Sequence, residues 1–224
     1  MKTKTISMAC AIALGLAFAG TAPAALAESS TPAPAAAPAA AAAPAAPKLH
    51  AAMRALWHGH IVATREYAMA VHAGNKAAEK KAQDAEVKNG HDIANAVAGF
   101  YGKDAGEGIF KLLAGHVGGV DALTTATKAK NTKGEEKAMS DLAANGMAIA
   151  KFLAGANPNN WTVDGLNKAL LMHVGDHKQQ IDQIMSNAPK AEQEKSWTEM
   201  EHHMNMIADA LSDGIAKQFP DKAN

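Results

Sequence analysis

The chain has 224 residues, of which 48% are hydrophobic and 20% are charged, and its 22 basic side chains balance its 22 acidic ones. This length suffices for one folded domain of ordinary size. A chain that is neutral overall and has no long run of basic residues is not expected to bind nucleic acid or the surface of an anionic membrane.

Residues 1–27 have the pattern of a secretory signal peptide. Two lysines stand at the start, an apolar run covers residues 6–19, and Ala-Leu-Ala at 25–27 forms a small-residue cleavage site. The apolar run is shorter than the ~20 residues that a membrane-spanning helix needs. We therefore predict export to the periplasm or out of the cell, with cleavage before Glu28 and no transmembrane segment in the mature chain.

Cleavage would change the chemistry of the chain. It removes Cys10, the only cysteine, so the mature chain would have no disulfide and no thiolate ligand. It also removes Lys2 and Lys4, which leaves two more acidic than basic side chains. Residues 28–48 are mostly Ala and Pro, a composition typical of an extended linker. The folded domain is therefore expected at 49–224.

Three later stretches have apolar residues at i, i+3, i+4 and i+7, the spacing of an amphipathic helix. Each is followed by a break rich in Gly, Asn or Pro and then by a second helical stretch. Strand signals are absent from the sequence. We predict an all-α fold, a six-helix bundle built from three repeated αα-hairpins that share one core. The hairpins are expected at about 49–103, 104–161 and 162–220.

Each predicted hairpin carries a histidine on the apolar stripe of its first helix. These histidines, spaced by 56 and 57 residues, are His60, His116 and His173. At matching distances from the turns, the second helices carry Asn89, Asn145 and His203. Equal distance from a turn means equal height in antiparallel helices, so we predict a polar layer across the bundle. A buried imidazole needs a partner for each nitrogen, which an Asn amide can supply, so a structural role is favoured for the first two pairs.

The third hairpin offers more ligands than the other two. His173 and His177 are four residues apart on one helix face, and Glu199 and His203 are four apart on the opposite helix. Three imidazoles and one carboxylate suit copper, zinc, iron or nickel, so these four residues are the predicted metal site for one such ion. Thioether ligands nearby would favour copper, especially Cu(I), although some of these side chains are expected to fill the core. The methionines in question are Met172, Met200, Met204 and Met206.

Scattered motifs resemble a family of bacterial all-helical proteins to which no activity is attached. The matching pieces are Leu56-Trp57-x-x-His60 with Thr64-Arg65, Asp92-Ile93 with Phe100-Tyr101-Gly102, and Ala208-Asp209 with Gly214-Ile215 and Gln218-Phe219-Pro220. The resemblance implies a helical fold and no function. Separately, His173-x-x-x-His177 followed by Gln180-Ile181 is similar to one helix of the DinB-type metal-binding bundles, whose four-helix plan differs from three hairpins.

Two functions are compatible with this sequence. The first is an exported metal-binding protein: a buffer, carrier or sensor of copper, zinc or a similar ion. The second is a non-catalytic helical-repeat protein that contacts another protein and whose histidines are structural. We do not predict an enzyme, because the sequence contains no Gly-rich phosphate loop, no nucleophile elbow and no zinc-protease motif.

Overall fold

The structure, a computed structural model, describes residues 46–223, and this part of the chain is helical without a strand. The predicted signal peptide and nearly all of the predicted linker lie outside the described residues. Six long helices are followed by one short one. They are α1 (Pro47–Ala73), α2 (Lys76–Tyr101), α3 (Lys103–Lys128), α4 (Thr132–Ala156), α5 (Val163–Met185), α6 (Lys190–Gln218) and α7 (Pro220–Ala223).

Local capping explains where several of these helices begin and end. The side chains of Asn75, Asn131 and Thr162 each accept a hydrogen bond of 3.1 Å from a backbone N–H in the first turn of α2, α4 and α5. Such a cap satisfies one of the donors that a helix start leaves unpaired. Helix α1 ends at Gly74, whose φ of 67° suits glycine better than any other residue. The six predicted helices and the breaks between them are therefore found, whereas α7 was not predicted.

The six long helices are arranged in a ring. Each helix packs against the next one along the chain, and α6 packs against α1 to close the ring. Helices α1, α3 and α5 also contact one another, so these three line the interior. The prediction of an all-helical bundle is confirmed, and the ring adds that the first helices of the three predicted hairpins meet at the centre.

The buried apolar side chains of the described residues form four clusters, of which the two largest follow one another along α3 and α5. The larger contains Trp57, Leu113 and Leu170, and the smaller contains Val120 and Val174. Burial of each such side chain contributes about 1.5–3 kcal/mol to folding. On α3, His116 lies between Leu113 of the larger cluster and Val120 of the smaller one. On α5, His173 lies between Leu170 and Val174 in the same way. The polar layer therefore lies at the junction of the two clusters.

None of the helices described here is both long and apolar enough to cross a lipid bilayer.

Candidate metal centre

Four histidines meet where α1, α3 and α5 face one another. His60 comes from α1, His116 from α3, and His173 and His177 from consecutive turns of α5. All four are buried, with exposed fractions of 2–4%. One nitrogen from each ring can be chosen so that the four atoms lie within 4.8 Å of one another. This cluster could hold a metal ion.

The spacing of the rings fits a four-coordinate site. Nε2 of His173 lies 3.3 Å from Nε2 of His60 and 3.0 Å from Nε2 of His177. The ring centroids of the six pairs are 5.4–5.7 Å apart, except for His173 and His177 at 4.3 Å. In a tetrahedral zinc-like site with bonds of about 2.0–2.1 Å, the ligand nitrogens stand roughly 3.3 Å from one another.

Hydrogen bonding within the cluster cannot satisfy these nitrogens. A neutral imidazole nitrogen carries either one proton or one lone pair, so Nε2 of His173 can make one good hydrogen bond and not two. Both nitrogens of His116 and Nδ1 of His173 are buried without any hydrogen-bond partner among the described residues. An unpaired buried polar group costs about 1–3 kcal/mol, and a bound ion would remove part of that cost.

The electrostatic environment keeps the four rings neutral. Burial, and then repulsion by the neighbouring His116, lower the pKa of His60 to about 3. Burial likewise lowers the pKa of His116 to about 4, against a small opposing effect of the Asn145 amide. Burial is also the main reason why the pKa values of His173 and His177 lie well below the usual range. At neutral pH each ring therefore has a free lone pair, which is the form that binds metal.

The two asparagines of the predicted polar layer do not pair with the histidines as expected. The amide of Asn89 donates to the carbonyl oxygen of Leu56 at 2.8 Å, and that of Asn145 donates to the carbonyl of Leu112 at 3.0 Å. These bonds tie each second helix to the backbone of the first. The imidazoles point toward the interior. The predicted pairing is therefore absent for His60 and Asn89, whereas the side-chain amide of Asn145 still lies close enough to His116 to raise its pKa.

The four residues predicted as ligands are separated by the structure into two groups. His173 and His177 lie in the buried cluster. Nδ1 of His203 lies 2.9 Å from a carboxylate oxygen of Asp176, and the carboxylate of Glu199 accepts a hydrogen bond of 2.8 Å from Lys195. Glu199 thus pairs within α6, and His203 pairs with Asp176 on the side of α5 that faces α6.

Of the four methionines that the sequence placed beside the site, two belong to the apolar core, as expected, and Met206 is 52% exposed. Met200 and Met204 are buried, at 0% and 2% exposure, and pack in the larger apolar cluster. His60 and His116 are the ligand candidates that the sequence interpretation set aside. The sequence did indicate them, because the spacing between His60, His116 and His173 is regular. Only partners within the same hairpin were considered, however, and these are Asn89 and Asn145.

No protein-family model, no curated protein and no solved structure matches this chain. The geometry of the histidine cluster is therefore the basis for inferring function.

Proposed function

We propose that this protein binds one transition-metal ion through His60, His116, His173 and His177. The observation that carries the proposal is that one nitrogen from each of four buried rings lies within 4.8 Å of the other three, with Nε2 of His173 next to Nε2 of both His60 and His177. All four donors are neutral, buried and held by three packed helices. A preorganised set of this kind loses little conformational entropy when the ion binds.

The donor set favours an ion that accepts tetrahedral nitrogen coordination. Zinc(II) and copper(I) both accept this geometry and both bind imidazole. Zinc brings two charges into a site without a carboxylate among its four donors, whereas copper(I) brings one and is cheaper to transfer from water. Iron(II) and nickel(II) usually prefer more ligands, so they are the weaker candidates. Of the four methionines considered as thioether ligands for copper, Met200 and Met204 lie in the core and carry no weight in this choice.

A role in carrying or buffering the ion fits better than a permanent structural role. Metal-binding histidines usually donate their other ring N–H to a carboxylate, a carbonyl or water, and this orients and strengthens the ligand. Nδ1 of His173 has no such partner among the described residues. A site without that support should release its ion more readily than a structural zinc site does.

Export and the threefold repeat are the remaining parts of this proposal. The N-terminal signal pattern supports a location in the periplasm or outside the cell, where free thiols do not compete as ligands. The repeat is supported by Asn89 and Asn145, whose amides make the same hydrogen bond to a leucine four residues before His60 and His116. In this view one histidine of each hairpin reaches the common centre, and His177 completes the set.

Metal content of the untagged protein tests the proposal. The mature chain, purified without a histidine tag, should take up one equivalent of Co²⁺ and show the intense visible absorption of a tetrahedral site. Zn²⁺ should displace the Co²⁺, and anaerobic titration with Cu(I) against a chromophoric chelator should rank the two ions. The variants H116A and H177A should lose binding, whereas H58A and H202A, which change exposed rings, should retain it. Stoichiometric binding that survives both cluster variants would refute the proposal.

The alternative, a helical-repeat interaction protein with structural histidines, has less support. A structural histidine needs hydrogen-bond partners, and both nitrogens of His116 have none among the residues described. If no ion binds to the untagged protein at stoichiometric level near neutral pH, this alternative becomes the better interpretation.

A further inference from the structure

A cavity of about 290 Å³ leads from the surface between α2 and α3 to the histidine cluster. Its inner part is lined by His60 together with buried Ile93 and Leu113. Its outer part is lined by Val87 and Gly118, which are exposed. One of the four candidate ligands is therefore accessible from outside through this opening.

Two carboxylates line the same cavity. Glu86 is only 4% exposed, and its Oε1 has no hydrogen-bond partner among the described residues. Asp121 receives a hydrogen bond of 3.3 Å on one oxygen from Gln83, and its other oxygen is buried and unpaired. The lining includes neither a lysine nor an arginine. These are two acidic groups whose charge no basic residue of the cavity balances.

The protonation of this pair shows how poorly its charge is tolerated in the absence of a cation. Burial, and then repulsion by Asp121, raise the pKa of Glu86 to about 8. Burial raises the pKa of Asp121 to about 6, against the opposing effect of the Gln83 hydrogen bond. A cation between the two carboxylates would replace their protons and remove the repulsion.

We propose that this cavity is the route by which a divalent cation reaches the histidines, and that Glu86 and Asp121 are its first protein ligands. The inference rests on the proposed metal-binding function. Carboxylate oxygens bind a partly hydrated divalent ion well, and the ion exchanges them for imidazole nitrogens as it passes inward to His60. The last water molecules leave through the same opening.

Residues on an access route and ligands of the final site should affect metal-binding kinetics differently. A group that acts only on the path changes the association and dissociation rates by the same factor and leaves the equilibrium constant unchanged. Removal of a final ligand changes the equilibrium constant. Rates and equilibrium measured on the same variants therefore separate the two.

Stopped-flow mixing of the untagged mature protein with Co²⁺ at pH 8 measures the association rate through the tetrahedral absorption band. In the double variant E86Q/D121N the association rate should fall by at least about tenfold, which corresponds to the loss of about 1.4 kcal/mol of stabilisation of the ion on its path. The dissociation rate, measured by Zn²⁺ displacement, should fall by a similar factor. The control is D84N, which removes an exposed, lysine-paired carboxylate from the same helix α2 and should leave both rates unchanged.

A steric variant gives independent support. A Cβ added at Gly118 would meet nothing within 4 Å, so the backbone position accepts a side chain, and Gly118→Leu adds bulk to the lining of the opening. It should slow association and dissociation together, with the final cobalt spectrum unchanged. Gly99→Leu, at an equally open position on α2 that does not line the cavity, is the matched control.

Wild-type association rates in both E86Q/D121N and Gly118→Leu would overturn the route, and so would an equal slowing by D84N. Loss of the tetrahedral spectrum itself in E86Q/D121N would assign the carboxylates to the final site and also overturn it. If the wild-type protein binds neither Co²⁺ nor Cu(I), the metal-binding function fails and the route fails with it. The first three outcomes leave that function intact, so the two failures can be told apart.

Discussion

Replacement of His116 by leucine should affect the metal-free and metal-bound protein in opposite directions. His116 is 3% exposed and its two nitrogens have no hydrogen-bond partner among the described residues. Removing an unpaired buried polar group recovers about 1–3 kcal/mol, and an imperfect fit of the new side chain costs less than about 1.5 kcal/mol. The metal-free variant should therefore be more stable than wild type by about 1–2 kcal/mol, or about 2–8 °C in Tm for a domain of this size.

With metal present the order should reverse. A ligand at 1,000 times its Kd stabilises the folded state by about 4 kcal/mol, which is more than the gain from leucine. Changes in groups that merely support a ligand cost about 10–100-fold in affinity, so loss of a ligand itself should cost more than about 100-fold. Urea denaturation and thermal unfolding, each measured with chelator and with saturating Zn²⁺, should give curves whose order crosses between the two conditions.

His50→Leu is the matched control for this substitution. His50 is also buried, but its two ring nitrogens lie 3.0 Å from carboxylate oxygens of Asp209 and Asp213. Leucine there removes two satisfied interactions, so stability should fall by about 1–3 kcal/mol and metal affinity should not change. The reasoning is refuted if metal-free His116→Leu is less stable than wild type, or if this variant binds metal as tightly as wild type does.

Three further results are expected. His177→Ala should abolish tight binding, whereas His203→Ala, which breaks only the contact with Asp176, should retain it within about tenfold, as measured by cobalt titration. The metal-free protein should lose stability as the pH falls below about 6.5, because the unfolded chain then binds protons at four histidines that stay neutral in the folded state. In the folded protein the pKa is about 3 for His60 and about 4 for His116, and it lies well below the usual range for His173 and His177. Each histidine lowers the free energy of unfolding by at most about 1.4 kcal/mol per pH unit. Glu86 and Asp121, whose pKa values are raised to about 8 and about 6, act in the opposite direction and offset part of this loss. Urea midpoints at pH 6.5, 5.5 and 4.5 measure the net effect, and a midpoint that does not fall with pH over this range would contradict it. Metal binding at pH 7.5 should release almost no protons, because the four rings are already neutral. Calorimetry in buffers of different ionisation enthalpy measures the number of protons released, and a release of one proton or more would contradict this prediction.

Much of the fold could be predicted because its signals are local. Asn75, Asn131 and Thr162 cap helices within the turn that they begin, and Gly74 ends α1 with a backbone angle that favours glycine. Apolar periodicity then marks which face of each helix is buried. These preferences act over three to seven residues, so a single sequence reveals them without knowledge of the partner helices.

The candidate site was predicted in part for the same reason. His173 and His177 lie four residues apart, and α-helical geometry alone places them on one face. The structure gives Glu199 and His203, their predicted partners on the other helix, different neighbours, because two antiparallel helices share more than one line of contact. His203 lies beside Asp176 on the side of α5 that faces α6, whereas His173 lies beside His60 on the side that faces the interior.

The sequence by itself determined the helices, their ends, and the regular spacing of His60, His116 and His173 along the buried stripes. Only the tertiary structure decided that α1, α3 and α5 contact one another, and therefore that histidines 56 or more residues apart share one centre. The physical reason is the width of an apolar stripe, which covers about 100° or more of a helix and so faces several neighbours at once. Periodicity shows that a side chain on such a stripe is buried, and ring closure of the six helices determines which other side chains it meets.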